Sequence, residues 1–239
     1  MKADNSAERL LTLLAEGKRK EDGTGCRKVW GELLGIPRGD SVLLTSQIGK
    51  VMMLPGQIVR DLQDTLPDGG NTWSHWASQV SLAFARQNLD GPWKTFIEHI
   101  DEHTLTYLRL SANILSTNKK VATIAPEAID ETRKKVSDCV DEVLASDIDQ
   151  NVKAKIVRHL RAVIDALDDY QIFGAQPILD AVEVVAGHTH FDEKYYSFLK
   201  DSDLGARIHD ALTAAANLVT VAVGVPQLVQ AALLIAHSV

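Results

Sequence analysis

Cysteine is scarce in this chain. Only Cys26 and Cys139 occur among 239 residues, so a disulfide framework is excluded and two free thiols are expected. Aromatic residues make up 5% and prolines number seven. Excess positive charge is lacking too. Twenty-five basic side chains face 32 acidic ones, a net charge of −7, which argues against a nucleic-acid binder acting through bulk electrostatics. The phosphate-cradling loop, the G-x-S-x-G elbow and the G-x-G-x-x-G fingerprint are absent from the sequence. Neither cysteine has a histidine beside it, so a thiol nucleophile is not indicated. The first nine residues, Met1 to Arg9, lack the apolar run of a secretion signal, and a cytoplasmic protein is expected.

What remains is a composition suited to a packed core, with 45% hydrophobic and 24% charged residues. Charge is uneven. Residues 1–70 hold ten basic and ten acidic side chains, so the whole −7 falls on residues 71–239. The last 29 residues, Ala211 to Val239, carry no Lys, Arg, Asp or Glu.

Apolar residues recur at helical spacing nearly everywhere, and no period-2 strand stands out. The spacing predicts a helix capped by Asn5 and ended by Gly17, a second around Val29–Leu34, and a third holding Val42, Leu43, Leu44, Ile48, Val51 and Met52. Pro55 should break the third and leave a short helix over 57–66. Pro67-Asp68-Gly69-Gly70-Asn71 reads as a turn and a soft boundary. Helices follow over about 73–88 and 93–115, then from Pro126 to Ala145 and from about Gln150 to Tyr170. A short helix over 178–186 precedes an aromatic-rich stretch over 188–203 that reads as irregular or as one helical turn. Phe191, Tyr195, Tyr196 and Phe198 are expected to pack there. Two apolar helices, about 204–223 and 227–237, close the chain. The expected fold is all-α, a multi-helix bundle with a smaller N-terminal helical unit. The two parts are 1–70 and a bundle over 71–239 that ends in the apolar helix pair.

Two histidine groups invite a metal reading. His99-Ile100-Asp101-Glu102-His103 matches the H-x-x-E-H string of inverted zinc peptidases. Histidines four apart on one helix share a face, and the intervening glutamate would serve as base. The alternative is a half-exposed helix face with Ile100 turned inward. His188-Thr189-His190, followed by Asp192 and Glu193, is the second group, and it reads equally as a polar turn. Lys18-Arg19-Lys20 with Arg27 and Lys28 is the only basic concentration, interrupted by Glu21 and Asp22. No metal and no cofactor are assigned.

The uncharged C-terminal run carries the functional expectation. It is long enough to span a bilayer, but Gly224 and Pro226 divide it. Ala216, Thr220 and Gly224, four apart, would permit close helix approach. Leu218, Val221, Leu228, Leu233 and Leu234 are the expected contact residues. The leading reading is a non-enzymatic interaction protein that binds a protein partner or forms a homo-oligomer. A membrane-acting effector of defence or toxin type, using the uncharged C-terminal helices, is the alternative. A metal-dependent hydrolase is the third.

Two stretches resemble uncharacterised all-helical bacterial proteins. One is Val29-Trp30-Gly31-Glu32-Leu33-Leu34-Gly35 with Leu54-Pro55 and Ile58. The other is Ser146-Asp147-Ile148-Asp149 with Leu160, Ile164, Ala166-Leu167, Tyr170, Gly174, Ile178 and Ala181. The resemblance implies a bacterial source and a helical fold. It assigns no activity.

Overall fold

The computed structural model describes residues 5–69, 71–118 and 123–223. Among them the fold is all-α, with twelve helices and no strand. The chain divides into two compact units near residue 120. The Pro67–Asn71 turn therefore lies inside the first unit, where it links two helices that pack together.

In the first unit, α1 (Ser6–Lys18) starts at Asn5, whose side chain accepts a hydrogen bond from the Glu8 amide. The same side chain donates to the Ala112 carbonyl and to Ser116 Oγ. One residue thus caps α1 and ties it to the later helix that carries Ala112 and Ser116. Helix α2 (Cys26–Leu33) brings Trp30 into the core, where it stacks on Phe84 and meets Trp93 and Phe96 edge-on. Gly17 does not stop α1. It sits in the last turn, and a Cβ there would lie 2.9 Å from the Trp93 ring. Its missing side chain admits Trp93, whose indole N–H donates to the Gly17 carbonyl.

Helix α3 (Ser41–Thr65) runs through Pro55 without a break. A proline inside a helix removes one backbone hydrogen bond and crowds the preceding turn. Here Pro55 is itself buried, flanked on the inward face by Val51, Leu54, Ile58 and Leu62. Packing on both sides of the proline outweighs the lost bond.

A 3-10 turn at Pro67–Gly69 leads to α4 (Ser74–Arg86). The single helix expected over 93–115 is two helices, α5 (Lys94–Ile97) and α6 (Glu102–Asn118). Asp101 makes the break. Its Oδ1 accepts from the Thr104 amide at 2.6 Å, which is an N-cap bond.

In the second unit, α7 (Pro126–Ala145) pairs with α8 (Gln150–Asp168). Pro126 opens the first turn of α7, and Asp149 caps α8 by accepting from the Asn151 and Val152 amides. The short α9 (Tyr170–Phe173) ends at Gly174, whose φ of 77° suits glycine. Helix α10 (Gln176–His188) extends past the expected end at Ala186. The stretch expected to be irregular or a single helical turn holds the nine-residue α11 (Glu193–Asp201), capped by Asp192. Helix α12 (Asp203–Val223) follows and packs on α7, α10 and α11. Val136, Val143, Leu160, Val163, Ile178, Tyr195, Ile208 and Ala215 are fully enclosed and form the centre of this core.

Candidate interaction surface

Helix α3 has two faces. Leu44, Ile48, Val51, Leu54, Ile58 and Leu62 are buried in the first unit. On the outer side Val42 is 84% exposed, Met53 61% and Met52 48%. Gly49 and Gly56 are exposed as well. A Cβ at Gly49 would meet nothing within 4 Å, and one at Gly56 only the Arg60 Nη1 at 3.7 Å. Between Ser41 and Val59 the sequence has one charged side chain, Lys50. Large apolar residues exposed singly are ordinary, and several together on one helix make this face the candidate contact surface. Among the described helices α3 is also the one long and apolar enough to cross a membrane by length and composition, with 39% of its most apolar window buried.

At the N-terminal end of α3 an open cleft of about 560 Å³ is lined by Arg27, Lys28, Glu32, Arg38 and Asp40. Part of its charge is matched internally. Arg27 donates to Asp90 at 2.8 Å, and Lys20 pairs with Glu32 at 2.8 Å. That pairing with Lys20 holds the Glu32 carboxyl below its usual range. Arg19 pairs with Glu16 and Lys28 lies 4.0 Å from Glu32, so most of the basic concentration, split between the end of α1 and the start of α2, is ion-paired. Arg38 and Asp40 are exposed.

The expected C-terminal contact residues fall differently. Leu218 is half-buried and packs against the core of its own unit. Around it Ala211, Leu212, Ala215, Ala216, Val219 and Ala222 are buried, so the described part of the uncharged run is core. The Val221 side chain, Leu228, Leu233, Leu234 and the helix expected over 227–237 lie outside the described residues.

Neither histidine group forms the arrangement that a shared metal would need. His99 lies in the turn after α5 and His103 on α6, with the Asp101 cap between them. The two therefore do not share one helix face. His99 is 3.9 Å from Glu98, whereas His103 turns to His75 and Tyr107. Ile100 is fully buried, as its place in the stripe implies. Partial burial raises the Asp101 carboxyl, but hydrogen bonds from Thr104 and His75 outweigh it and bring it down to about 2.

His188 and His190 part as well. His190 and Phe191 are exposed, Phe191 by 87%, which corrects the expectation that Phe191 packs. His188 turns toward His159 and Tyr195 instead. His159 Nδ1 lies 3.0 Å from Tyr195 Oη, and Arg158 Nη2 lies 3.2 Å from His159 Nε2. Arginine only donates, so Nε2 must be the accepting nitrogen and Nδ1–H the donor to Tyr195. Burial, reinforced by His188, Arg158 and Lys155, pushes the His159 imidazole down to about 4. Burial also raises the Tyr195 phenol. Asp192 caps α11 and accepts from Lys155 at 2.5 Å, which holds its carboxyl below the usual range. His188 Nε2 is buried, 3.9 Å from Asp192 Oδ2. This cluster bolts α8, α10 and α11 together. Sequence spacing could not show it, because His159 sits 29 residues before His188 on another helix.

Among the described residues no three of His, Cys, Asp and Glu are grouped to hold a metal ion. Cys26 and Cys139 are free and buried, and burial pushes both thiols up to about 11. They are protonated at neutral pH and poor nucleophiles. A cavity of about 70 Å³ lies between α10, α11 and α12, lined by Val182, Val185, Leu199, Ile208 and Leu212. It is about half the size of an apolar cavity that takes up benzene.

No family model, no curated protein and no solved structure matches this chain.

Proposed function

We propose that this chain is a non-enzymatic helical interaction protein and that the outer face of α3 is its contact surface. The carrying observation is the row Val42, Gly49, Met52, Met53 and Gly56, exposed on a helix whose other face is core. Burying such a row removes apolar area from water at about 25 cal/mol per Å². The C-terminal contact residues outside the described part remain a second element of this reading. A membrane-acting role is favoured by one observation, the length and apolar composition of α3. Against it stands the inward face, which the first unit already uses as core.

The chain has only three methionines, Met1, Met52 and Met53, so oxidation reads this surface selectively. Peroxide should convert Met52 and Met53 to sulfoxides more slowly when the face is covered. The rates are compared by mass spectrometry for dilute pure chain, concentrated pure chain and chain added to extract of its native cells. Slower oxidation in either of the last two, abolished by Val42→Asp, supports the reading. Equal rates in all three refute it.

A further inference from the structure

We propose that the cavity between α10, α11 and α12 is a binding site for a short aliphatic carboxylate. The apolar tail lies inside, and the carboxylate sits at the mouth beside Lys200. The site belongs to the second unit and does not depend on the contact surface proposed for α3.

The walls set the body of the ligand. Val182 and Val185 on α10, Leu199 on α11, and Ile208 and Leu212 on α12 are all aliphatic. Leu199 is half-buried and the others are buried. A water molecule inside needs about two to four polar partners, which these walls do not offer. Left empty, the same walls forfeit dispersion contacts. Aliphatic carbon suits both conditions. The volume of about 70 Å³ sets the length. Half the space that holds a benzene ring takes about three or four carbons, so a short chain fits and a ring does not.

The rim sets the head. Thr189, Tyr196, Lys200 and His209 also line the cavity, and no Asp or Glu does. Residues 121–239 hold 10 basic and 18 acidic side chains, so a rim with a cation and no carboxylate departs from the rest of the unit. Lys200 is the exposed lining residue and marks the side open to solvent. Its ammonium lies 5.3 Å from the centre of the Tyr196 ring. A hydrogen bond to Tyr196, helped by Asp201, raises it above its ordinary value, so it is charged at neutral pH. An ammonium has three donors, and one bond to a phenol leaves the others for a carboxylate. The Thr189 hydroxyl donates to the Ala186 carbonyl at 2.5 Å and lends the ligand no proton. An amine of the same length would meet a like charge. Apolar walls with a few convergent polar groups at one end are the usual make-up of a small-molecule site.

The test titrates the full chain, isotopically labelled at its methyl groups, with sodium butyrate and follows the methyl resonances. Saturable shifts are expected at Val182, Val185, Leu199, Ile208 and Leu212, with a dissociation constant of about 1 mM. From acetate through propionate to butyrate the affinity should rise about fourfold per methylene. Past about hexanoate it should fall, because the tail outgrows the space. Butyramide, the neutral isostere, should bind about fivefold more weakly than butyrate. Lys200→Met should weaken butyrate about fivefold and leave butyramide unchanged. Ala186→Leu should fill the cavity and abolish the shifts, with circular dichroism checking the fold. The absence of saturable shifts at about 50 mM butyrate overturns the proposal. So does butyramide binding as tightly as butyrate, or an affinity that keeps rising through octanoate. Should Ala186→Leu fail to fold, Lys200→Met decides alone. A change there that leaves butyrate untouched, or weakens both ligands equally, removes the carboxylate site.

Discussion

Lowering the pH should weaken the second unit through His159. In the folded chain its imidazole is buried and held neutral. Its Nε2 receives Arg158 and its Nδ1–H faces Tyr195. The groups around it are Lys155 and Arg158 on α8, His188 on α10, and Asp192 with Tyr195 at α11. Protonation would place a cation at Nε2 against a guanidinium. The ordinary value of 6.5 falls to about 4 on folding. The unfolded chain therefore binds the extra proton first, and stability falls as the pH drops below about 6.5. The loss levels off below about 4. Going from pH 7 to pH 5 should cost about 2 kcal/mol, and the full span about 3 kcal/mol. His159 is 5% exposed, so solvent does little to screen this. Urea unfolding by far-ultraviolet circular dichroism at both pH values measures it. His159→Gln keeps a hydrogen-bonding side chain but cannot titrate, so the comparison cancels the groups that do not interact with His159 and reads His159 together with its coupling to His188. The wild type should lose about 2 kcal/mol more than the variant between pH 7 and pH 5. Equal losses would refute the reasoning. The four tryptophans all lie in the first unit, so their fluorescence follows that unit separately.

Two further substitutions test the packing. Gly205→Ala would set a Cβ 2.4 Å from the Leu199 carbonyl oxygen and 2.6 Å from that of Phe198. Both are backbone atoms, so the start of α12 must move, and a loss of about 3 kcal/mol in urea unfolding is expected. A wild-type midpoint would show that α11 and α12 do not meet so closely. Asp101→Ala should remove the α6 cap at a cost of about 1 kcal/mol, while Asp101→Asn should retain most of it. Thermal unfolding followed by tryptophan fluorescence reads both, and equal shifts would mean that Asp101 is not acting as a cap.

Local signals were enough wherever a helix end is made by its own residues. Asn5, Pro126 and Asp149 each open a helix through a bond or geometry within four residues. The apolar spacing of α7 and α8 likewise shows up as burial. Reading failed where a distant partner decides. Asp101 is followed by Thr104 at cap spacing, yet the apolar stripe on both sides suggested one continuous helix. Gly17 looked like a stop, and its reason is Trp93, 76 residues away. The aromatics after His188 looked alike, but Tyr195 is enclosed by α8 and α10 while Phe191 is 87% exposed.

The same distinction separates α12 from α3. An uncharged run draws the eye to the C-terminus, but absence of charge is equally what a core helix needs, and α12 meets that need through Ala211, Ala215, Ala216 and Val219. In α3 the apolar residues fall on opposite sides of one helix. Of the apolar residues expected on the third helix, Leu44, Ile48 and Val51 are buried whereas Val42 and Met52 are exposed. Pro55 hides the pattern further, because a helix cut there would end before Gly56 joined the row. Once the helix is continuous, one face is enough to hold it in the first unit. The other is then surplus to folding. A row of exposed apolar residues adds little to the stability of a lone chain, which is why the outer face of α3 is the one proposed for contact.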